Sequence, residues 1–162
     1  MNTPTKNLSR LTALVAVSLL ALTGCAAAET PTEAAPAGET VTIEDAWVKA
    51  TDEDMSAAFG TLTNSGTDAV TIVSAETDAA GMVELHETVE NEAGEMVMRE
   101  IEGGFSIPAG GSLELVPGAD HIMLMGLTGA LSAGDEVTVT LTFSDDSTYA
   151  FTAPVKDYSG AN

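Results

Sequence analysis

The chain has 162 residues, of which 25 are acidic, five are Lys or Arg and two are His, for a formal net charge of −20. A surface that acidic excludes nucleic acid as a partner, because no basic patch is left to neutralise phosphates. The one cysteine, Cys25, excludes an internal disulfide, so the fold must stand without a cross-link.

The chain opens on a basic segment with Lys6 and Arg10, followed by an apolar run from Leu11 to Leu22 broken only by Thr12 and Ser18. That run is too short for a comfortable membrane span and reads as a secretory signal over residues 1–24. It ends in Leu22-Thr23-Gly24-Cys25, the pattern of a bacterial lipobox, in which Cys25 is lipidated and becomes the first mature residue. The alternative is a plain signal peptide with a chance cysteine. Lipid chains gain about 0.8 kcal/mol per buried methylene, so several together hold a small domain at a membrane. The expected location is therefore extracytoplasmic and lipid-anchored, on the periplasmic side or the outer face. Once lipidated, Cys25 is lost as a thiolate for zinc or as a nucleophile. Beyond it lie all 25 acidic residues but only Lys49, Arg99 and Lys156 among the basic ones. Anionic headgroups would repel such a domain, which leaves a covalent anchor to hold it. Residues 25–40, rich in Ala, Pro, Thr and Glu without an apolar period, read as a flexible tether. Residues 156–162 read as a loose tail.

From Val41 to Val155 the pattern is short β-type runs separated by turn residues. "VTIEDAWVKA" carries the only tryptophan, Trp47. Two runs flank the turn Asn64-Ser65-Gly66. "MVELHETV" and "EMVMREI" alternate on either side of "ENEAG", a hairpin loop with Gly94. Turns follow at Pro108-Ala109-Gly110-Gly111 and Pro117-Gly118, then "DHIMLMGL", then a turn at Gly134-Asp135 and two last strands around Asp145-Asp146. No stretch after residue 40 has a helical period. Short strands with turns every 8 to 12 residues predict an all-β fold, a Greek-key β-sandwich. No repeat and no Gly-rich phosphate loop is found.

The residues with chemistry cluster. Apart from the initiator, the methionines are Met55, Met82, Met96, Met98, Met123 and Met125, and five of these six lie in the window 82–125 that also holds His86 and His121. Alternate residues of a strand share a face. Met82 therefore goes with His86, Met96 with Met98, and His121 with Met123 and Met125, while Ile122, Leu124 and Leu127 fill a core. Thioether is a soft, neutral ligand that suits Cu(I) and fails Zn²⁺, Ca²⁺ and Mg²⁺. A blue-copper site is excluded, since it needs a cysteine thiolate. Two readings stand on the residues alone: a soft-metal site, or methionines filling gaps in an apolar core. The second would make the protein a metal-free binding module of the cell envelope. A hydrolase using some of the carboxylates is a third, with no nucleophile–base constellation to favour it.

The stretch "VELHETVENEAGEMVMREIEGGFSIPAGGSLELVPGADHIMLMGLTGALSAGDEVTVTLTF", with the upstream "AWVKATDEDMSAAFGTLTNSG", resembles the PCu(A)C family of periplasmic copper chaperones. The resemblance covers residues 41–155. It implies a cupredoxin-like β-sandwich and a Cu(I) carrier rather than an enzyme. The family pattern is a histidine, a methionine about a dozen positions on, then His-x-Met. It maps onto His86, Met98, His121 and Met123 as copper ligands, with Met98 preferred over Met96. Met82 and Met125 become core or supporting positions. Two departures stand out: Glu87 follows the first histidine where many members have methionine, and the step from Met98 to His121 is about one residue longer than usual. The resemblance also implies a copper-acceptor protein as partner, a cytochrome c oxidase subunit or an assembly factor for its copper-A centre, and a monomer as the working form.

Overall fold

The computed structural model describes residues 35–158. The expected signal segment, Cys25, most of the tether and the last four residues of the tail lie outside the described residues. One turn of helix, α1 (Ala37–Thr40), precedes ten strands. These are β1 (Val41–Lys49), β2 (Met55–Asn64), β3 (Val70–Glu76), β4 (Ala80–Glu90), β5 (Met96–Glu100), β6 (Phe105–Ile107), β7 (Ser112–Leu115), β8 (His121–Leu127), β9 (Glu136–Phe143) and β10 (Thr148–Lys156).

The strands run in the order β5-β4-β8-β2-β1-β10-β9-β3-β6, with β7 paired to β2 beyond the end of β8. The order falls into two layers, β5-β4-β8-β2-β1 and β10-β9-β3-β6, joined where β1 runs parallel to β10 at Val48–Val155. This is the expected β-sandwich. The last hairpin shows why these residues form it. In β9, Val137, Val139, Leu141 and Phe143 are buried while the threonines between them are not. In β10, Phe151, Ala153 and Val155 are buried and alternate with Thr152, Pro154 and Lys156. A period of two with β-branched and aromatic residues on one side is what a half-buried antiparallel sheet requires.

The core between the layers is built from Val, Leu, Ile, Phe and Ala. Leu62, Ile72, Phe105, Ile107, Leu115, Ile122, Leu124, Leu141 and Phe143 are all but inaccessible. Each such side chain contributes roughly 1.5–3 kcal/mol on burial. No methionine belongs to this core or to the partly buried residues packed against it. Leu127 reaches the core only from its partly buried margin.

At the N-terminal boundary, residues 37–40 belong to the domain rather than to the expected tether. Ala37 is buried, its amide donates to Asp145 Oδ2 at 2.8 Å, and the Gly38 amide donates to Ser147 Oγ at 2.9 Å. A four-residue turn has no periodicity to read; its partners on the β9–β10 turn hold it. At the other end Tyr158 stacks on Trp47 with ring centroids 5.4 Å apart, so the start of the expected tail is docked as well.

Candidate metal centre

The turn chemistry of the β4–β5 hairpin places the first two candidate residues. Asn91 Oδ1 accepts from the amides of Ala93 and Glu95, both at 2.9 Å, and Gly94 takes φ +82°, a conformation that favours glycine. The loop fixes an uninterrupted register in which His86 pairs with Glu100, Thr88 with Met98 and Glu90 with Met96. On its other edge β4 pairs with β8, again without a bulge: His86 opposes His121, Glu84 opposes Met123 and Met82 opposes Met125. Strand β2 extends the rows, with Met55 opposite Met125 and Ala57 opposite Met123.

Opposed residues of an antiparallel pair share a face. One face of β5-β4-β8-β2 therefore carries His86, His121 and all six methionines. The other carries Leu85, Ile122, Leu124 and Ala58, each 4 % exposed or less. Strand parity anticipated the three separate groupings; the register joins them into one surface.

His86 and His121 lie edge to face with ring centroids 5.6 Å apart. His121 is buried, and its Nδ1 is 2.8 Å from the Ala119 carbonyl. A carbonyl only accepts, so in the neutral ring Nδ1 carries the proton and Nε2 keeps a free lone pair. His86 Nε2 lies 2.8 Å from Glu84 Oε2. A carboxylate likewise accepts, which leaves the lone pair on Nδ1. That Nδ1 is buried and has no hydrogen-bond partner. An orphaned buried acceptor is costly unless something fills it, and an arriving cation would.

Three of the four expected ligands, His121, Met123 and Met98, line a cleft of about 240 Å³ together with Met55, Phe59, Tyr158 and Lys49; His86 is not on its wall and reaches the site through its contact with His121. Met98 is on its wall and Met96 is not. Met98 also opposes Thr88, the next residue on the face after His86, whereas Met96 is one pair further out. Met98 is 63 % exposed and forms the outer rim, while Met123 is half-buried beside His121. Met82, at 56 % exposure, is not a core residue, and Met125 is only half-buried.

A bulge in β1 lies behind Phe59, which is on the cleft wall. Between Glu44 and Trp47 the register of β1 on β2 slips by one residue, and Asp45 there adopts φ +52°. Gly60 lies beneath, where a Cβ would press on Ala46 Cα at 3.1 Å and Ile43 Cδ1 at 3.0 Å. The bulge sets Trp47 over Phe59 at 4.6 Å, and Phe59 lies 6.3 Å from His121. Bulges commonly re-aim a side chain beside a site.

The two departures from the expected pattern are placed as follows. Glu87 lies on the opposite face from His86, where it accepts from Arg99 Nε at 2.8 Å. Its presence removes no donor from the cleft. The longer step to His121 runs through β6, β7 and turns at Gly103, Gly104 and Gly118, all at positive φ. The cleft wall carries Lys49 and no carboxylate; the nearest acid in sequence to His121 is Asp120. Burial first and the Glu87 carboxylate second hold Asp120 above the ordinary carboxylate range, with His121 pulling the other way. Among the described residues no group of three or more His, Cys, Asp or Glu side chains converges as a metal cluster. The donors that do converge are imidazole and thioether.

Glu84 is the residue that sequence reasoning missed. Its signal was available, two positions before His86 on the same face, but was hidden among 25 carboxylates.

A family model described as "Putative lipoprotein LpqE-like" matches residues 41–155. The chain belongs to the LpqE-like family. A protein of Leifsonia xyli subsp. xyli, "Putative lipoprotein Lxx21020", is 47% identical over 165 residues, covering 99% of this chain and 96% of that one. Among solved structures, the copper-bound PCuAC domain from PmoF2 superposes with a TM-score of 0.61 at 18% identity, over 78% of this chain and 99% of that one. This likeness shows the fold. DR1885 from Deinococcus radiodurans is 30% identical to the LpqE-like chain. Its apo form has a TM-score of 0.57 over 100% of this chain and 99% of that one, and its Cu(I) form 0.52 over 83% and 87%. The PCu(A)C resemblance and the cupredoxin-like sandwich expected from it are borne out.

Proposed function

We propose that this LpqE-like protein is an extracytoplasmic Cu(I) carrier, lipid-anchored through Cys25, that binds one ion with His86, Met98, His121 and Met123. The observation that carries the reading is the placement of the methionines. Packing methionines belong in a core, and here all six lie on the face that holds both histidines, with an imidazole lone pair unspent on each ring. The copper-bound PCuAC domain and Cu(I)-DR1885 support the choice of ion.

Two imidazoles and two thioethers are neutral, so the loaded site keeps one positive charge. The acidic surface around it favours that charge. Glu84 orients His86 as a carboxylate behind a metal-bound imidazole does, and the Ala119 carbonyl does the same for His121. Met98, outermost, is the ligand an acceptor can displace first; His86, His121 and Met123 hold the ion until a second donor arrives. Transfer is then stepwise ligand exchange at the surface, and the copper-A centre of cytochrome c oxidase is the acceptor we assign.

Competition between copper and zinc tests the site. Under reducing conditions, in the presence of a Cu(I) chelator, the protein should retain Cu(I) far better than Zn²⁺, because thioethers serve only the softer ion. Equal retention of both metals would refute a soft site. The anchor is tested separately: Cys25→Ser should move the protein from washed membranes to the soluble fraction, and a variant that stays with the membranes would refute lipidation.

A further inference from the structure

One row of methionines starts at the wall of this site, where Met55 sits, and runs away from the four expected ligands. Met55, Met125 and Met82 form a single row across β2, β8 and β4, each outer residue directly opposite the central one. Opposed Cβ atoms in antiparallel pairs are about 4.5–5.5 Å apart, so three flexible thioethers can close over one point above Met125. The row lies two residues along β8 from Met123, roughly 7 Å at the usual strand rise. Met55 and Met82 are 52 % and 56 % exposed and Met125 is half-buried.

Packing does not explain this row. It faces away from the core, where a sheet ordinarily shows polar or β-branched residues. Half-exposed thioethers on three adjacent strands retain little burial and forgo that propensity. Their one distinctive property is soft, neutral sulfur donation. Three such donors with no imidazole and no carboxylate among them select a soft monovalent ion.

We infer that Met55, Met82 and Met125 form a second Cu(I) site, weaker and more open than the first. The choice of Cu(I) as cargo rests on the proposed function; the site itself rests on the register of the three strands. From it an ion meets a donor at every second residue of β8: Met125, then Met123, then His121. The row is a place where incoming copper can be held before it reaches the histidines.

The test uses the full-length protein in detergent, with methionine methyl groups carbon-13 labelled, titrated anaerobically with Cu(I). The wild type should take up two equivalents, the second shifting the methyl signals of Met55, Met82 and Met125. Met82→Leu/Met125→Leu, which leaves the cleft wall intact, should take up one, with the affinity for that first ion changed by less than roughly tenfold. His86→Ala/His121→Ala should lose the first ion, yet its Met55, Met82 and Met125 methyls should still respond to copper. Two equivalents retained by the double variant, or methyls of the row that never shift, overturn the second site and leave the first standing. If copper moves only the methyls of the row and ignores His86 and His121, the proposed function fails and the second site stands. No uptake by the wild type overturns both.

Discussion

Strand β8 has two sides, and they are made of different amino acids. Ile122 and Leu124 point into the sandwich and are inaccessible; His121, Met123 and Met125 point the other way. The core side uses branched aliphatics, which have few rotamers and fill a fixed space. The opposite side uses unbranched, flexible thioethers, which specify a single packing poorly but adapt to a moving partner. The contrast runs across four strands, with Ala58, Leu85, Ile122 and Leu124 on one surface and every methionine of the described residues on the other. A sheet that needed methionine for packing would not sort it so completely.

The comparison can be broken at single residues. The largest effect is expected on the core side: Leu124→Ala should cost about 2–5 kcal/mol of stability, as buried leucines do, read by denaturant unfolding. The folded fraction should keep its Cu(I) affinity. On the other side the effects reverse. Met123→Leu should cost less than about 1.5 kcal/mol in stability, yet lower Cu(I) affinity by roughly tenfold or more, since one donor is gone. Met98→Leu should leave the melting temperature unmoved, because the side chain is mostly in water. It should weaken Cu(I) binding and speed transfer to a chelator, whereas Met96→Leu should do neither; the reverse result would exchange the two sulfurs. The smallest effect belongs to Met125→Leu, which should leave the affinity for the first ion nearly unchanged. If Met125→Leu loses that ion and Met123→Leu does not, the ligand assignment is wrong.

How much of this was legible in the sequence follows from which interactions are local. Alternation in "DHIMLMGL" separates His121, Met123 and Met125 from Ile122 and Leu124, and the structure keeps that division. Turn residues such as Asn64 and Asn91 fix the hairpins through their own backbone: Asn64 Oδ1 accepts from Gly66 and Asn91 Oδ1 from Ala93. What alternation leaves open is which side of each strand meets which side of the next. That depends on register, so the sequence alone allowed the methionines to be core. The α1 turn was missed because its support comes from Asp145 and Ser147, more than a hundred residues away. Glu84 was missed because one carboxylate in 25 is not distinctive until its distance to His86 is known. The spacing of His86, Met98, His121 and Met123 was readable only through a family pattern that links them; the register sets His86 opposite His121 and puts all four on one face.

The bulge in β1 has a practical side. It puts the only tryptophan of the chain on Phe59, and Phe59 next to His121, so a single emitter stands two rings from the proposed copper ligand. Tyr158 also lies against that indole, 5.4 Å between ring centroids, and shares the cleft wall with Phe59. An ion arriving at His121 changes the charge and packing felt by Phe59 and, through it, by Trp47. The protein therefore carries its own optical reporter: occupancy of the cleft can be followed by tryptophan emission, without a label and at a wavelength no other residue of the chain shares.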